Sequence, residues 1–420
     1  MDSHARGPGF EFLPTTPAKL APYLSFVNTI SDTALQPGAL VPSDPVSSAA
    51  QWVKTELAKV GLRYVLRQSY TFAAMHGRIA GDPAINAYAF QLVANWSIFD
   101  SDDLGGTSGW VSTEVDGGSG LGIDWATQGP RNNIGSFGLL DYNWTGVDLF
   151  LGELAWAQSF LGGELVVSAG VLDQTNYFDL NIYSNTAFGQ LKNSAFVENP
   201  VIPMPGNNLG FNIQWQPADW IYAMFGVGSN NQLPGQSPVR NVSASDLSYL
   251  LEIGLVGKDV LGLGAGVYRL QPFAATTGGE SGGGFAVNFQ QALGKNGPFG
   301  AFGRFGVSNG IASGLGLASA AASGGIVMVA PFSPSSDGAS KSAGLFAASN
   351  NDYAAVGFKW TQAGQSASLV HRDEYALELT YVMQITPTMT LQPDLQFVWD
   401  PSYSSKNSAI VFQLSLNVQG

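Results

Sequence analysis

Ser408-Ala-Ile-Val-Phe-Gln-Leu-Ser-Leu-Asn-Val418 alternates strictly from Val411 onward. Phe412, Leu414, Leu416 and Val418 point one way; Gln413, Ser415, Asn417 and Gln419 point the other. Side chains reverse direction at every residue of a strand, so this segment belongs to a sheet with one apolar and one polar face. The pattern recurs in most apolar segments, and its polar face carries amides and hydroxyls more than charges. A strand reads this way when its outside touches lipid and its inside touches a water-filled lumen.

Composition points the same way. Of the 420 residues only 12% are charged, against roughly 25% in soluble domains. A wall facing hydrocarbon explains the deficit, because Arg or Lys there costs about 2–4 kcal/mol at mid-depth. No apolar run approaches the ~18 residues of a membrane helix, which leaves a closed barrel as the spanning solution. The net charge of −13 argues against nucleic acid as a partner, since no basic patch is available to neutralise phosphates. The absence of Cys fits passage through an oxidising compartment. Met1-Asp-Ser-His-Ala-Arg-Gly-Pro-Gly9 lacks a basic start followed by an apolar core, which fits a mature or engineered start.

Residues 1–47 carry Pro8, Pro14, Pro17, Pro22, Pro37, Pro42 and Pro45 without a sustained period and read as an extended arm or linker. A short helix is expected near 48–62, capped by Ser47 or Ser48, with Trp52, Leu57 and Val60 near one face, periplasmic or plugging the bore. Residues 63–420 read as one all-β domain, a transmembrane antiparallel barrel. Tight turns are expected at Gly162-Gly163, Pro217-Ala218-Asp219, Gly257-Lys258-Asp259, Gly294-Lys295-Asn296-Gly297 and Thr386-Pro387-Thr388. Longer loops are expected near 173–207, 229–247, 271–282, 308–324 and 361–373, the asymmetry of outer-membrane barrels. Counting back from the last strand gives sixteen strands beginning near Tyr64; two more hidden in 117–148 would make eighteen. A barrel of this size leaves an aqueous channel.

Enzymatic chemistry finds little support. His4, His76 and His371 are the only histidines, all in expected arm or loop segments and none flanked by a nucleophile motif such as G-x-S-x-G. HExxH and Cys-His metal spacings are absent, and the glycine runs Gly278-Gly279 and Gly282-Gly283-Gly284 lack the Lys-Ser/Thr ending of a phosphate loop. No catalysis, cofactor or metal is expected.

Strand parity assigns the lumen. Tyr375, Leu377, Leu379, Tyr381 and Met383 face outward, leaving Glu378, Thr380 and Gln384 inside. Leu391, Pro393, Leu395, Phe397 and Trp399 face lipid, leaving Gln392, Asp394 and Gln396 inside. The same parity puts Arg304, Glu252, Glu153, Asn212, Gln214 and Gln216 in the lumen. Such a lining hydrates the wall and also suits hydroxyl-rich solutes. The 173–207 segment is the expected constriction. It carries Asp173, Asp179, Lys192 and Glu198 among Tyr177, Phe178, Tyr183, Phe188 and Phe196, so it should fold inward rather than wave in solvent.

Tyr375-Ala-Leu-Glu-Leu-Thr-Tyr381, Thr386-Pro387 and Leu391-Gln-Pro-Asp-Leu-Gln-Phe397 with Pro401 closely resemble the C-terminal signature of the carbohydrate-selective porin (OprB) family. Gly284-Phe-Ala-Val-Asn-Phe-Gln-Gln291 with Phe302-Gly-Arg-Phe-Gly306, and Ala169-Gly-Val-Leu-Asp-Gln-Thr-Asn-Tyr-Phe-Asp179, are similar to its central hairpin and strand-to-loop segment. The likeness covers about 149–420 well and 48–110 loosely. It implies a sixteen-stranded outer-membrane channel of a diderm bacterium for monosaccharide diffusion, narrowed by Arg and Glu side chains. Glu378, Asp394, Gln396 and Arg304 carry over by motif position. The expected partners are outer-membrane lipid, small carbohydrates and ions. The readings left open are a general or cation-preferring porin, a structural envelope-tethering barrel and a homo-oligomer. Two departures stand out: the chain ends Val418-Gln-Gly420 without the terminal aromatic of such barrels, and the Pro-rich arm is long, which suits an envelope partner.

Overall fold

In the computed structural model the described residues are 41, 44–101, 107–122, 129–141, 146–230, 236–240, 242–294, 298–310, 318–329, 352–364 and 369–420. Most of the expected arm (1–40, 42 and 43), with His4, and residues 295–297 of an expected turn lie outside them.

Among the described residues, helix α1 (Pro45–Ala58) comes first, followed by strands β1 (Leu62–His76), β2 (Ala84–Ser101) and β3 (Thr107–Gly120). A short helix α2 (Pro130–Ile134) precedes β4 (Val147–Phe160) and β5 (Leu165–Leu172), and α3 (Ser194–Val197) precedes β6 (Asn208–Ala218). Then come β7 (Ile221–Ser229), β8 (Leu247–Gly257), β9 (Gly266–Thr277), β10 (Glu280–Leu293) and β11 (Phe299–Gly310). The last five are β12 (Ala318–Val329), β13 (Tyr353–Ala363), β14 (Asp373–Gln384), β15 (Met389–Trp399) and β16 (Ser408–Gln419). Each strand pairs antiparallel with its sequence neighbours, and β1 pairs with β16 from Arg67↔Gln419 to His76↔Ile410, closing a sixteen-stranded barrel. Closure pairs the edge strands that an open sheet would leave bare.

The wall is inverted relative to a soluble protein. Along β16, Ile410, Phe412, Leu414 and Leu416 are exposed, while Gln413, Ser415 and Asn417 are buried. On β6 the exposed row is Leu209, Phe211, Ile213 and Trp215, and the buried one is Asn212, Gln214 and Gln216. Apolar side chains thus face out to lipid, as the alternation predicted.

Several local expectations change. Among the described residues, segment 117–148 holds the end of β3, α2 and the start of β4, and the closed barrel runs through sixteen strands, not eighteen. Helix α1 begins at Pro45 because Asp44, not Ser47 or Ser48, is its cap: Asp44 accepts the Ser47 N–H at 2.6 Å, Ser47 reciprocates, and Pro45 needs no partner at the first position. The expected loop at 271–282 is a two-residue hairpin. Gly278 and Gly279 both take positive φ (59° and 88°), which joins β9 to β10 directly. Gly282–Gly284 therefore lie inside β10, where the Phe273 ring packs so closely on Gly284 that a Cβ would collide with it. The turn expected at 257–259 is instead an eight-residue connection, 258–265. His76 closes β1 rather than lying in a loop.

Candidate functional site: the narrowed lumen

After β5 the chain turns into the barrel. Asp173 caps the turn, accepting from the Thr175 N–H at 2.9 Å and its hydroxyl at 2.7 Å. Burial pushes the Asp173 carboxyl above the usual aspartate range, against those two hydrogen bonds. The segment 173–207 then packs on the inner wall, with Tyr177, Phe178, Tyr183 and Phe196 buried and Phe188 half-buried. Phe196 meets Phe302 of β11 edge-on, 6.3 Å between centroids.

Polar side chains of the wall hold the loop's backbone. Arg304 donates to Asp179 Oδ2 at 2.8 Å and to the carbonyls of Asp179, Ser184, Phe196 and Val197. Asp179 sits at φ 60°, a left-handed position that Asp tolerates better than most residues. Glu252 accepts the Asp179 N–H at 3.0 Å, the Tyr222 hydroxyl at 2.6 Å and the Gln271 amide at 2.6 Å. Glu378 accepts both the Lys192 and Asn193 N–H groups, and Asn193 donates to Gln396 at 3.1 Å. Gln392 donates to the Gln190 carbonyl at 2.6 Å.

A second segment, 129–141, enters from the β3–β4 connection, where the sequence suggested strands. Ser136 and the Phe137 N–H donate to Glu374, each at 2.7 Å, and Glu374 pairs with Lys359 at 2.7 Å. The Leu140 carbonyl accepts from Gln396 and Gln413. Lys192 and Asp141 join the two inward segments at 2.6 Å, both fully buried.

The sequence-derived candidates Glu153, Glu252, Arg304, Glu378, Gln384, Gln392, Asp394 and Gln396 all face inward and are buried. The structure gathers Glu252, Arg304, Glu378, Gln392 and Gln396 around the loops' backbone. Gln384 instead donates to the Thr386 carbonyl and closes the β14–β15 turn, while Asp394 accepts from Gln396 at 3.1 Å. Of the constriction candidates, Asp179 and Lys192 are buried ion-pair members, Asp173 is the turn cap, and half-buried Glu198 follows α3.

Sequence reasoning missed the opposite sector. On β1–β3, Arg67 donates to Gln91 at 2.9 Å, Gln91 donates to Glu114 at 2.7 Å, and Asn176 of the loop donates to Glu114 at 2.5 Å. Next to this chain, the Tyr177 hydroxyl donates to Glu153 at 2.9 Å. Gln91, Asp116, Asp173, Thr175 and Asn176 keep partial solvent exposure, so the accessible interior borders this sector. The overlooked signal was parity: Arg67 shares a face with Ser69 and Thr71, and Glu114 and Asp116 share one with Ser112.

Residues 264–419 match the family described as "Carbohydrate-selective porin, OprB family". That stretch contains five of the six resembling segments, from Gly284 to Phe397. Among solved structures, the barrel is similar to the high-pH structure of Pseudomonas putida OprB: 15% identity, 92% of this chain and 100% of that chain covered, TM-score 0.69. The low-pH structure of the same protein gives 16% identity, 90% and 99% coverage, and a TM-score of 0.54. At these identities the likeness establishes the shared fold, a closed sixteen-stranded antiparallel barrel. No curated protein matches the chain.

Proposed function

We propose that this chain is a passive channel of a diderm outer membrane through which small hydroxylated solutes, sugars foremost, diffuse along the β1–β3 side of the lumen. The rim bearing Leu62 and Gln419 is taken as periplasmic and the rim from which 173–207 enters as extracellular. The observation that carries the reading is the division of the interior. The loops' backbone is bonded to the β8–β15 wall, while Arg67, Gln91, Glu114 and Asp116 border the accessible remainder. Amides and carboxylates alternating with one guanidinium offer donors and acceptors at the spacing of neighbouring strands, which suits sugar hydroxyls and holds none tightly.

Planar-bilayer recording tests it. Purified protein should conduct ions, and millimolar hexose should reduce the current; a barrel that conducts nothing would end the channel reading. A cation-preferring porin is the second reading, favoured by the acidic surplus of Glu114, Asp116, Glu153 and Asp173 over Arg67. Current that hexose leaves untouched, with a cation-selective reversal potential, would support it over the first.

A further inference from the structure

Besides the wall, the described exterior exposes apolar side chains at turns, such as Leu161, Trp220 and Leu261, and along α1. The helix is fixed at both ends and along one side. Thr388 donates to its cap Asp44 at 3.0 Å, and the Val41 N–H donates to the Ile385 carbonyl at 2.8 Å, tying its start to the β14–β15 turn. Beyond its end, the Val60 carbonyl accepts from the Trp96 indole at 3.2 Å. Between them, Lys54 places its ammonium 5.7 Å from the centre of the Tyr64 ring. Tyr64 and Trp96 both belong to the outward row of β1 and β2, and Trp96 is 52% exposed. The helix therefore runs along the terminal rim against side chains of the lipid-facing wall.

Its own apolar residues are left uncovered. Val46 is 51% and Trp52 66% exposed, and Ala49 between them is exposed as well. At about 100° per residue, Val46, Ala49, Trp52, Val53 and Leu57 fall within an arc of about 140°. One charge interrupts that arc, Glu56, and it is paired with Lys59 at 2.6 Å. Gln51, Thr55 and Ser48 occupy the other flank.

We infer that α1 lies in the headgroup region of the inner leaflet, its Val46–Trp52 face seated on phospholipid, as an interfacial anchor of the barrel's periplasmic rim. An amphipathic helix with Trp on its apolar side partitions to that depth, where the indole keeps its N–H wet and its ring dry. Continuity decides for lipid over a protein partner: the helix is bonded to Tyr64 and Trp96, which extend the wall's own lipid-facing row.

The inference rests on the membrane-barrel reading, and the test separates the two. The chain has no Cys, so single variants accept one environment-sensitive fluorophore each. Labels at Trp52→Cys, Thr55→Cys, Phe412→Cys and Ser245→Cys are compared in phosphatidylethanolamine–phosphatidylglycerol vesicles carrying headgroup-level spin-labelled lipid. The expected result is quenching at 52 and 412 several-fold above that at 55 and 245, with the label at 52 shielded from aqueous iodide. Water-like emission at 52 beside a quenched label at 412 overturns the anchor alone; water-like emission at both overturns the membrane reading and the anchor with it. Val46→Cys repeats the measurement on the same face if Trp52→Cys fails to assemble.

Discussion

Two sectors of the inner wall carry the same residue types and spend them differently. On β8–β15, Arg304 and Glu378 are taken up mainly by backbone groups of the inward segments; Glu374 accepts the Phe137 N–H beside wall Lys359, and Glu252 accepts the Asp179 N–H beside wall Tyr222 and Gln271. On β1–β3, Arg67, Gln91 and Glu114 bond to one another across neighbouring strands and to a single loop side chain, Asn176. An inward-facing charge is therefore not in itself a pore charge. What distinguishes the two is whether its hydrogen-bonding capacity is taken up by main chain, which is fixed, or by side chains, which a passing solute can displace.

The largest effect should come from Arg304→Ala. It leaves Asp179 buried without its cation and removes a donor from four carbonyls, of which those of Asp179 and Phe196 keep bonds from Asn288 and Ser184, a loss of about 3–5 kcal/mol from the loop's attachment. The loop should loosen, with larger and noisier single-channel conductance, and Lys192, fully buried in the native barrel, should become a trypsin site. Unchanged conductance and an intact loop would dissolve the contrast between the sectors. Glu378→Gln should act in the same direction with less force, about 1–3 kcal/mol, because the amide oxygen still accepts from one of the Lys192 and Asn193 N–H groups.

The other sector should respond in selectivity rather than in structure. Arg67→Gln should shift the reversal potential toward cations and Glu114→Gln away from them, with heat-modifiable migration on gels as in the parent. Loss of assembly in both would mean that these residues hold the wall together. The smallest effect concerns α1. Burial would raise the Asp44 carboxyl, but hydrogen bonds from Thr386, Ser47 and Thr388 outweigh it and hold the value below the ordinary one. A depressed carboxylate contributes stability above its unfolded value, about 3.9, and loses it as pH falls through the folded value. Acid should therefore release the start of α1 before the barrel, and Asp44→Asn should flatten that dependence; hydrogen exchange of the Ser47 amide checks both.

Most of the architecture was legible because a barrel wall repeats one rule sixteen times. Phe412, Leu414 and Leu416 against Gln413, Ser415 and Asn417 state it in a single strand, and the same parity placed Glu153, Glu252, Arg304 and Glu378 inside. The inward fold of 173–207 was legible from its aromatics, which have no place in a solvated loop. The division of labour was not. Arg304 is occupied mainly by backbone carbonyls, which every residue possesses, so no sequence pattern announces them. The 129–141 segment escaped for a related reason: it is held through the Phe137 N–H and the Leu140 carbonyl rather than by a recognisable side-chain motif. At Gly282–Gly284 a glycine run that resembles a loop is strand, paired with β9 and β11, and at Gly284 the Phe273 ring and the Val307 carbonyl leave no room for a Cβ.

The placement of the solute path is tested most directly by thiol accessibility during single-channel recording. Asp116→Cys on the accessible side and Asn288→Cys beneath the loop are each exposed to a small hydrophilic, charged thiol reagent. A rapid stepwise fall in current is expected at Asp116→Cys, slowed by hexose, with no reaction at Asn288→Cys. Rapid block at Asn288→Cys with an inert Asp116→Cys would contradict it.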